Sequence, residues 1–208
     1  ELTARNLNKS NFYIPYQAMS KPYVIGIDMG GTNTVFGIVD ARGVVVASNS
    51  IKTQKHANIN DYIDELYTEI TRLVEDNNVV DQIYGIGVGA PNANYFTGVI
   101  EAGVNLPWPT PIPLAQLLMD KFNIPVAITN DANAAAIGEM TYGAARGLKD
   151  FIMLTLGTGV GSGIVINGQL VYGHDCFAGE LGHMIIKRNN GRLCGCGRTG
   201  CLEAYCSA

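Results

Sequence analysis

The chain carries little charge and no excess of base. Of its 208 residues 15% are charged, and 14 Lys and Arg against 18 Asp and Glu leave a formal net charge of −4. A nucleic-acid or anionic-membrane surface needs a basic face, and this balance argues against one. No apolar run reaches the ~20 residues of a membrane span. Residues 1–20 lack the basic start and apolar stretch of a secretory signal. They hold Asn, Ser, Lys and aromatic residues without period, and are expected to form a disordered leader with Met19 a candidate natural start. A disulfide framework is also disfavoured, because the Cys are odd in number, five, with three crowded between Cys194 and Cys201. That usage favours a reduced, metal-binding role and a cytoplasmic setting. The 47% of hydrophobic residues suffices for one large or two small cores.

Apolar patterning predicts strands over Tyr23–Asp28, Thr34–Asp40 and Val44–Ile51, joined through Met29–Asn33 and Ala41–Gly43 into an antiparallel meander. Ile63, Leu66, Tyr67, Ile70, Leu73 and Val74 recur at helical spacing and predict a helix over 61–76. A buried strand follows at Ile83–Val88, then a loop rich in Pro and Asn from Gly89 to Pro113. A short helix Leu114–Phe122, a strand Val126–Thr129 and an Ala-rich helix from Ala132 to Ala145 come next. Phe151–Leu156, a turn at 157–159 and Gly161–Ile166 form a second strand–turn–strand, with Gln169–Tyr172 as a further strand. This order predicts α/β architecture with a mixed sheet. The shared layout of the two glycine turns hints at duplicated domains facing each other.

The first turn, Gly30-Gly31-Thr32-Asn33, follows Asp28. Its glycines let the backbone approach a ligand closely, successive N–H groups can cradle an anion, and Asp28 can hold a hydrated Mg²⁺. The competing reading is a tight hairpin without a ligand. No Lys follows as in a P-loop, so this is not a Walker site. Gly157-Thr158-Gly159-Val160-Gly161-Ser162-Gly163 offers the same chemistry against the same alternative. Two such turns suit a polyphosphate clasped between two domains. Asn130-Asp131 ends a strand and opens a helix. Asp131 there is either an N-cap or a general base that takes the acceptor hydroxyl's proton in phosphoryl transfer. Both fit if Asn130 caps and Asp131 points outward, with Asn130 orienting the same substrate.

His183, Cys194, Cys196 and Cys201 are ligands of the type structural zinc prefers, and Gly195, Gly197 and Gly200 let the loop wrap an ion. The alternative is a half-buried imidazole and free thiols. No ligand position is left for water, so such a metal is structural rather than catalytic. Cys176 and Cys206 fall outside the spacing and read as small apolar packing groups; His56 and His174 are assigned no role. Glu180 and Glu203 are either solvated surface charges or carboxylates that accept hydrogen bonds from vicinal sugar hydroxyls.

With these residues assembled, the chain resembles the ROK family of bacterial sugar kinases and repressors. The resemblance rests on Asp28–Asn33, Asn130–Glu139, Leu156–Gly163, Gly179–His183 and Cys194–Glu203, and covers residues 21–208. It implies an actin-like ATPase fold of two ribonuclease-H-like domains with a cleft between them. Residues 21–136 would form the N-terminal α/β domain. Residues 137–208 would be the first part of the C-terminal one with the remainder absent, since a second domain of about 100–150 residues is expected.

The implied activity is ATP-dependent phosphorylation of a hexose at its 6-hydroxyl, glucokinase-like and Mg²⁺-assisted. N-acetylmannosamine, N-acetylglucosamine or fructose are the alternative acceptors. By the same resemblance Asp131 is the base, and Asn105, Asn130, Glu180, His183 and Glu203 contact the sugar, with His183 holding zinc through one ring nitrogen and sugar through the other. Asp28, Gly30, Gly31, Thr32, Asn33, Gly157, Thr158 and Gly159 would line the ATP phosphates and Mg²⁺. Members commonly form dimers or tetramers. Asn92 stands where the family often has Gly after Gly-x-Pro. A sugar-sensing repressor of the family would need an N-terminal helix-turn-helix, which the unpatterned residues 1–20 do not supply.

Overall fold

A computed structural model describes residues 21–102 and 106–207, so the expected leader and Asn105 lie outside the described residues. Strands separated by a few turn residues fold back beside one another. β1 (Tyr23–Met29), β2 (Asn33–Asp40) and β3 (Val45–Lys52) do so, pairing antiparallel with Ile27 opposite Phe36 and Thr34 opposite Ile51. Asp40 closes the second turn, its carboxylate accepting the N–H groups of Arg42 at 2.8 Å and Val44 at 2.9 Å. α1 (Ile59–Asp76) starts at Asn58, whose side chain accepts the Asn60 N–H, and buries Tyr62, Ile63, Leu66, Ile70 and Val74.

This crossover returns β4 (Ile83–Gly89) parallel to β1, and α2 (Leu114–Phe122) returns β7 (Val126–Thr129) parallel to β4. The result is a mixed five-stranded sheet in the order β3-β2-β1-β4-β7, with one core packed between it and the helices.

The segment expected to be a plain loop holds a small hairpin, β5 (Ala93–Asn94) with β6 (Val99–Ile100). Its strands are too short to show alternation. A buried side chain holds it instead: the Asn94 carbonyl oxygen accepts the N–H groups of Phe96 (2.9 Å) and Thr97 (3.2 Å), and its amide donates to Glu101 at 2.6 Å. His56, assigned no role from sequence, is tied in on two sides. Its ring pairs with the Glu65 carboxylate, and its carbonyl accepts the Trp108 indole N–H at 3.0 Å.

The second sheet is three-stranded: β8 (Phe151–Leu156), β9 (Val160–Ile166) and β10 (Gln169–Leu170). β10 stops short of Tyr172, whose ring leaves the ladder to stack on Tyr95 at 4.7 Å and 12°. α3 (Asp131–Tyr142) packs against β4 on one side and β8 and β9 on the other, so the division expected at residue 136 falls within this helix. α3 ends three residues before Ala145, because the Gly143 N–H closes on the Glu139 carbonyl and the Glu139 carboxylate takes the Ala144 N–H at 2.7 Å.

The contact of α3 with β9 depends on missing side chains. A Cβ at Gly161 would lie 2.9 Å from the Ala132 Cβ, and one at Gly163 would lie 2.6 Å from the Ala136 Cβ. These two glycines, expected to extend an anion-binding turn, allow close packing of a small-residue helix. On β8 the alternate residues Ile152, Leu154 and Leu156 are exposed. Among the described residues no helix is long and apolar enough to cross a membrane.

Candidate active site

Parallel strands bring their C-terminal ends to one edge of a sheet, where open α/β folds place ligand crevices. Asp28 near the end of β1, Gly89 ending β4 and Asp131 opening α3 wall a cleft of about 390 Å³, and Thr155 of β8 lines it too. The cleft thus joins residues from both sheets. Burial against its wall raises the Asp28 carboxyl above its ordinary value, and the nearby Asp131 carboxylate adds to the rise.

The two residues opening α3 divide the work at the helix start. The Asn130 side-chain oxygen accepts the Ala132 N–H at 2.9 Å and the Asn133 N–H at 3.4 Å, which makes Asn130 the cap. Asp131 is the first helical residue and is exposed; one of its oxygens meets the Ala132 N–H at 2.7 Å. The aligned peptide dipoles favour an anion there.

Glu180 lines a smaller recess than this cleft, together with Asn92, Asn94 and Asn130. Burial raises its carboxyl; His183 opposes that rise, while the charges of Asp131 and Glu203 add to it. Glu180 therefore sits close enough to each of the other three to feel its charge. His183 Nε2 lies 4.0 Å from a Glu180 oxygen, while Nδ1 on the other side of the ring lies 3.7 Å from Cys194 Sγ. Glu203 opens the short α4 (Glu203–Cys206), and its Oε2 accepts the Val160 N–H at 2.9 Å.

The ligand atoms of His183, Cys194, Cys196 and Cys201 all lie within 4.8 Å of one another. Cys196 and Cys201 sulfurs are 3.7 Å apart, the same as Cys194 to His183. A tetrahedral zinc with bonds of about 2.0–2.3 Å puts its ligand atoms about 3.5–3.8 Å apart, so the residues fit that ion. The Arg198 N–H and then its guanidinium pull the Cys196 thiol down, whereas the Cys194 thiol, although lowered by the Cys196 N–H, is pushed up on balance by burial and by hydrogen bonds to Cys196, Glu203 and Cys201. Bound zinc would hold the loop through these four residues and leave His183 Nε2 facing Glu180. Cys176 is buried, with its thiol 3.2 Å from the Asn94 oxygen. Cys206 is exposed, because the final turn presents it to solvent, and it does not pack as an apolar group.

Both glycine turns are built as tight bends. The N–H groups of Gly30 and Gly157 are used inside them, each donating to a carbonyl 3.0 Å away, Asn33 and Gly159 respectively. Among the described residues the N–H groups of Gly31, Thr32, Thr158 and Gly159 have no acceptor. Asn33 belongs to β2, and its side chain accepts the Lys52 ammonium at 2.8 Å. Asn92 adopts φ +50°, the left-handed region that Gly enters freely and Asn tolerates. Its amide donates to the Ala102 carbonyl at 2.8 Å. Two neighbours escaped sequence reasoning, Thr155 in the cleft and Asn94 under the hairpin. Neither lies in a recognisable motif, and only the buried amide of Asn94 in a polar loop offered a signal.

The ROK family model matches residues 24–208. The chain belongs to the ROK family. Among ROK relatives, a glucokinase from Halalkalibacterium halodurans is 39% identical over 198 residues, covering 91% of this chain and 58% of the relative. A xylose repressor from Bacillus spizizenii is 36% identical and covers 89% of this chain and 48% of its own length. A crystal structure of a ROK family glucokinase from Streptomyces griseus, in complex with glucose and AMPPNP, superposes with a TM-score of 0.70 at 34% identity. That match covers 89% of this chain and 57% of the other. The chain thus spans about half to three-fifths of the length of the relatives it matches. Its α/β mixed-sheet architecture is that of the actin-like ATPases in this family.

Proposed function

We propose that the protein carrying this chain is a sugar kinase that transfers the terminal phosphoryl group of ATP to the 6-hydroxyl of a hexose, with glucose as acceptor. The observation that carries the reading is the gathering of Asp131, Glu203 and His183 around Glu180, with Asp131 also lining the cleft that Asp28 and Thr155 line. Asp131, exposed at a helix start, takes the proton of the attacking hydroxyl. Glu180, Glu203 and His183 Nε2 accept or donate hydrogen bonds to the remaining hydroxyls, with Asn130 and Asn105 completing the sugar side. The amides of Gly31, Thr32, Thr158 and Gly159, which have no acceptor among the described residues, offer donors to the phosphates, and Asp28 holds a water of the Mg²⁺ shell. Mg²⁺ when bound offsets charge on the phosphates. Most of the rate then comes from positioning and charge stabilisation. The five-stranded sheet and the three-stranded sheet, joined by α3, act as the two walls, and the working protein is a homo-oligomer in the cytoplasm.

A coupled assay of ADP release by the complete gene product, run across hexoses and N-acetylhexosamines, tests this. Release that depends on glucose is expected. A preference for N-acetylmannosamine, N-acetylglucosamine or fructose would move the acceptor within the same chemistry. Absence of release with every sugar, together with sugar-sensitive retention of promoter DNA, would favour the repressor reading that the xylose repressor likeness supports.

A further inference from the structure

Thr53 follows β3 directly, beneath the first glycine turn, and is fully buried. Its hydroxyl donates to the Gly30 carbonyl at 2.7 Å and its backbone N–H donates to the Thr32 carbonyl at 3.0 Å. The same hydroxyl lies 2.9 Å from that of Thr34, which lies 2.7 Å from the Tyr62 phenol; Thr34 and Tyr62 are fully buried too. The direction of these bonds follows from proton count. A carbonyl only accepts, and each hydroxyl has one proton to give. Thr53 gives its proton to Gly30, so Thr34 must donate to Thr53, and Tyr62 must donate to Thr34. The chain of donors runs one way, from α1 across β2 to the turn.

In a planar trans peptide the C=O and N–H point in opposite directions. Holding the Gly30 carbonyl inward on Thr53 therefore turns the Gly31 N–H outward, where it has no acceptor among the described residues. With glycine on both sides of this peptide, backbone sterics alone do little to select its orientation. The Thr53 hydroxyl makes the selection. A donor on the carbonyl also polarises the N–H of the same peptide. The far end of the relay is anchored, since the Tyr62 ring packs on Trp108 at 4.6 Å between centroids. Burial pushes the Tyr62 phenol up to about 12, so it remains a donor at working pH.

We propose that Thr53, backed by Thr34 and Tyr62, is a positioning residue that aims and polarises the Gly31 amide for a nucleotide phosphate. This rests on the phosphate-binding reading of the first turn given above. Thr53→Val removes the hydroxyl at nearly constant volume, and Thr53→Ser keeps it. In the complete gene product, loss of one such charge-assisted contact in Thr53→Val is expected to raise KM for MgATP by about tenfold, with KM for the sugar changed by less than about twofold. Thr53→Ser should restore the wild-type value, and Tyr62→Phe, which leaves Thr53 in place, should move KM for MgATP in the same direction by about threefold.

An unchanged KM for MgATP in Thr53→Val would overturn the proposal. So would equal losses on both substrates with a lowered melting temperature. A second measurement needs no turnover. In ¹⁵N NMR of the complete gene product, Gly31 should give one sharp amide signal in wild type and Thr53→Ser, and exchange broadening or a second signal in Thr53→Val. Identical Gly31 signals in all three would also refute the role. A wild-type protein that releases no ADP removes the kinase reading, and the Gly31 spectrum still decides whether Thr53 aims that amide.

Discussion

The carboxylate of Glu203 accepts the N–H of Val160 at 2.9 Å, joining the acid expected to face a sugar to the second glycine turn. Its other oxygen lies 3.4 Å from Cys194 Sγ, so one side chain touches the metal loop and the turn together. Gly159 leaves the room for it. A Cβ there would stand 2.8 Å from Glu203 Oε2.

Gly159→Ala should therefore displace the acid as well as the turn. Misplacement of this kind, on the order of an ångström, costs up to about 100-fold in rate. Steady-state kinetics should show raised KM for both sugar and ATP, with the zinc content unchanged. A rise for ATP alone would mean that Glu203 does not serve the sugar.

Asp131→Asn keeps the side-chain oxygen at the start of α3 and removes the base. A positioned general base contributes about 10²–10⁴-fold, so kcat should fall by that order. Calorimetry should still detect sugar binding at near wild-type affinity. Turnover within a few-fold of wild type would rule Asp131 out as the proton acceptor.

One zinc per chain is expected by atomic absorption, held by the His183, Cys194, Cys196 and Cys201 set. Chelation should speed amide exchange in residues 183–203 and leave β1–β4 and α1 protected, because the large core lies elsewhere. Sugar affinity should drop with the metal, since His183 and Glu203 are both carried by that loop. Cys201→Ser should reproduce the chelated state.

The raised Asp28 carboxyl gives a pH dependence with a definite sign. A carboxyl raised in the native state binds protons there more readily than in the unfolded chain, so its ionisation lowers stability as pH rises through the gap between the two values. Asp28→Asn removes that penalty. Urea unfolding should find the variant more stable than wild type at pH 7, with the difference shrinking as pH falls through the raised value and vanishing below the ordinary 3.8. Phosphoryl transfer by the variant should be weaker despite the gain. A stability difference that grows on acidification would contradict the assignment.

Much of this architecture was legible because its signals are local. The Ile63–Val74 period needs only a helix with one buried face, and it is one. Asn130 beside Asp131 admitted a cap and an outward acid, and the cap is Asn130. The Cys194–Cys201 spacing with His183 brings four ligand atoms together. Other features were hidden. The β5–β6 hairpin has strands of two residues, below any periodic signal, and depends on a buried amide at Asn94. Gly161 and Gly163 read as more of a ligand turn, when their lack of Cβ serves Ala132 and Ala136. Thr53 carried no motif at all, since its role depends on a carbonyl 23 residues away.

By itself the sequence determined the order of the longer strands and helices, the glycine bends and which His and Cys could share a metal. Each of these depends on steric freedom, periodicity or donor type among near neighbours. Only the tertiary structure decided that Glu180 feels Asp131, His183 and Glu203 at once. It also decided which turn amides are free and which carbonyls are pinned. Those are relations of distance and hydrogen-bond direction between segments far apart in the chain, and composition and spacing do not encode a direction in space.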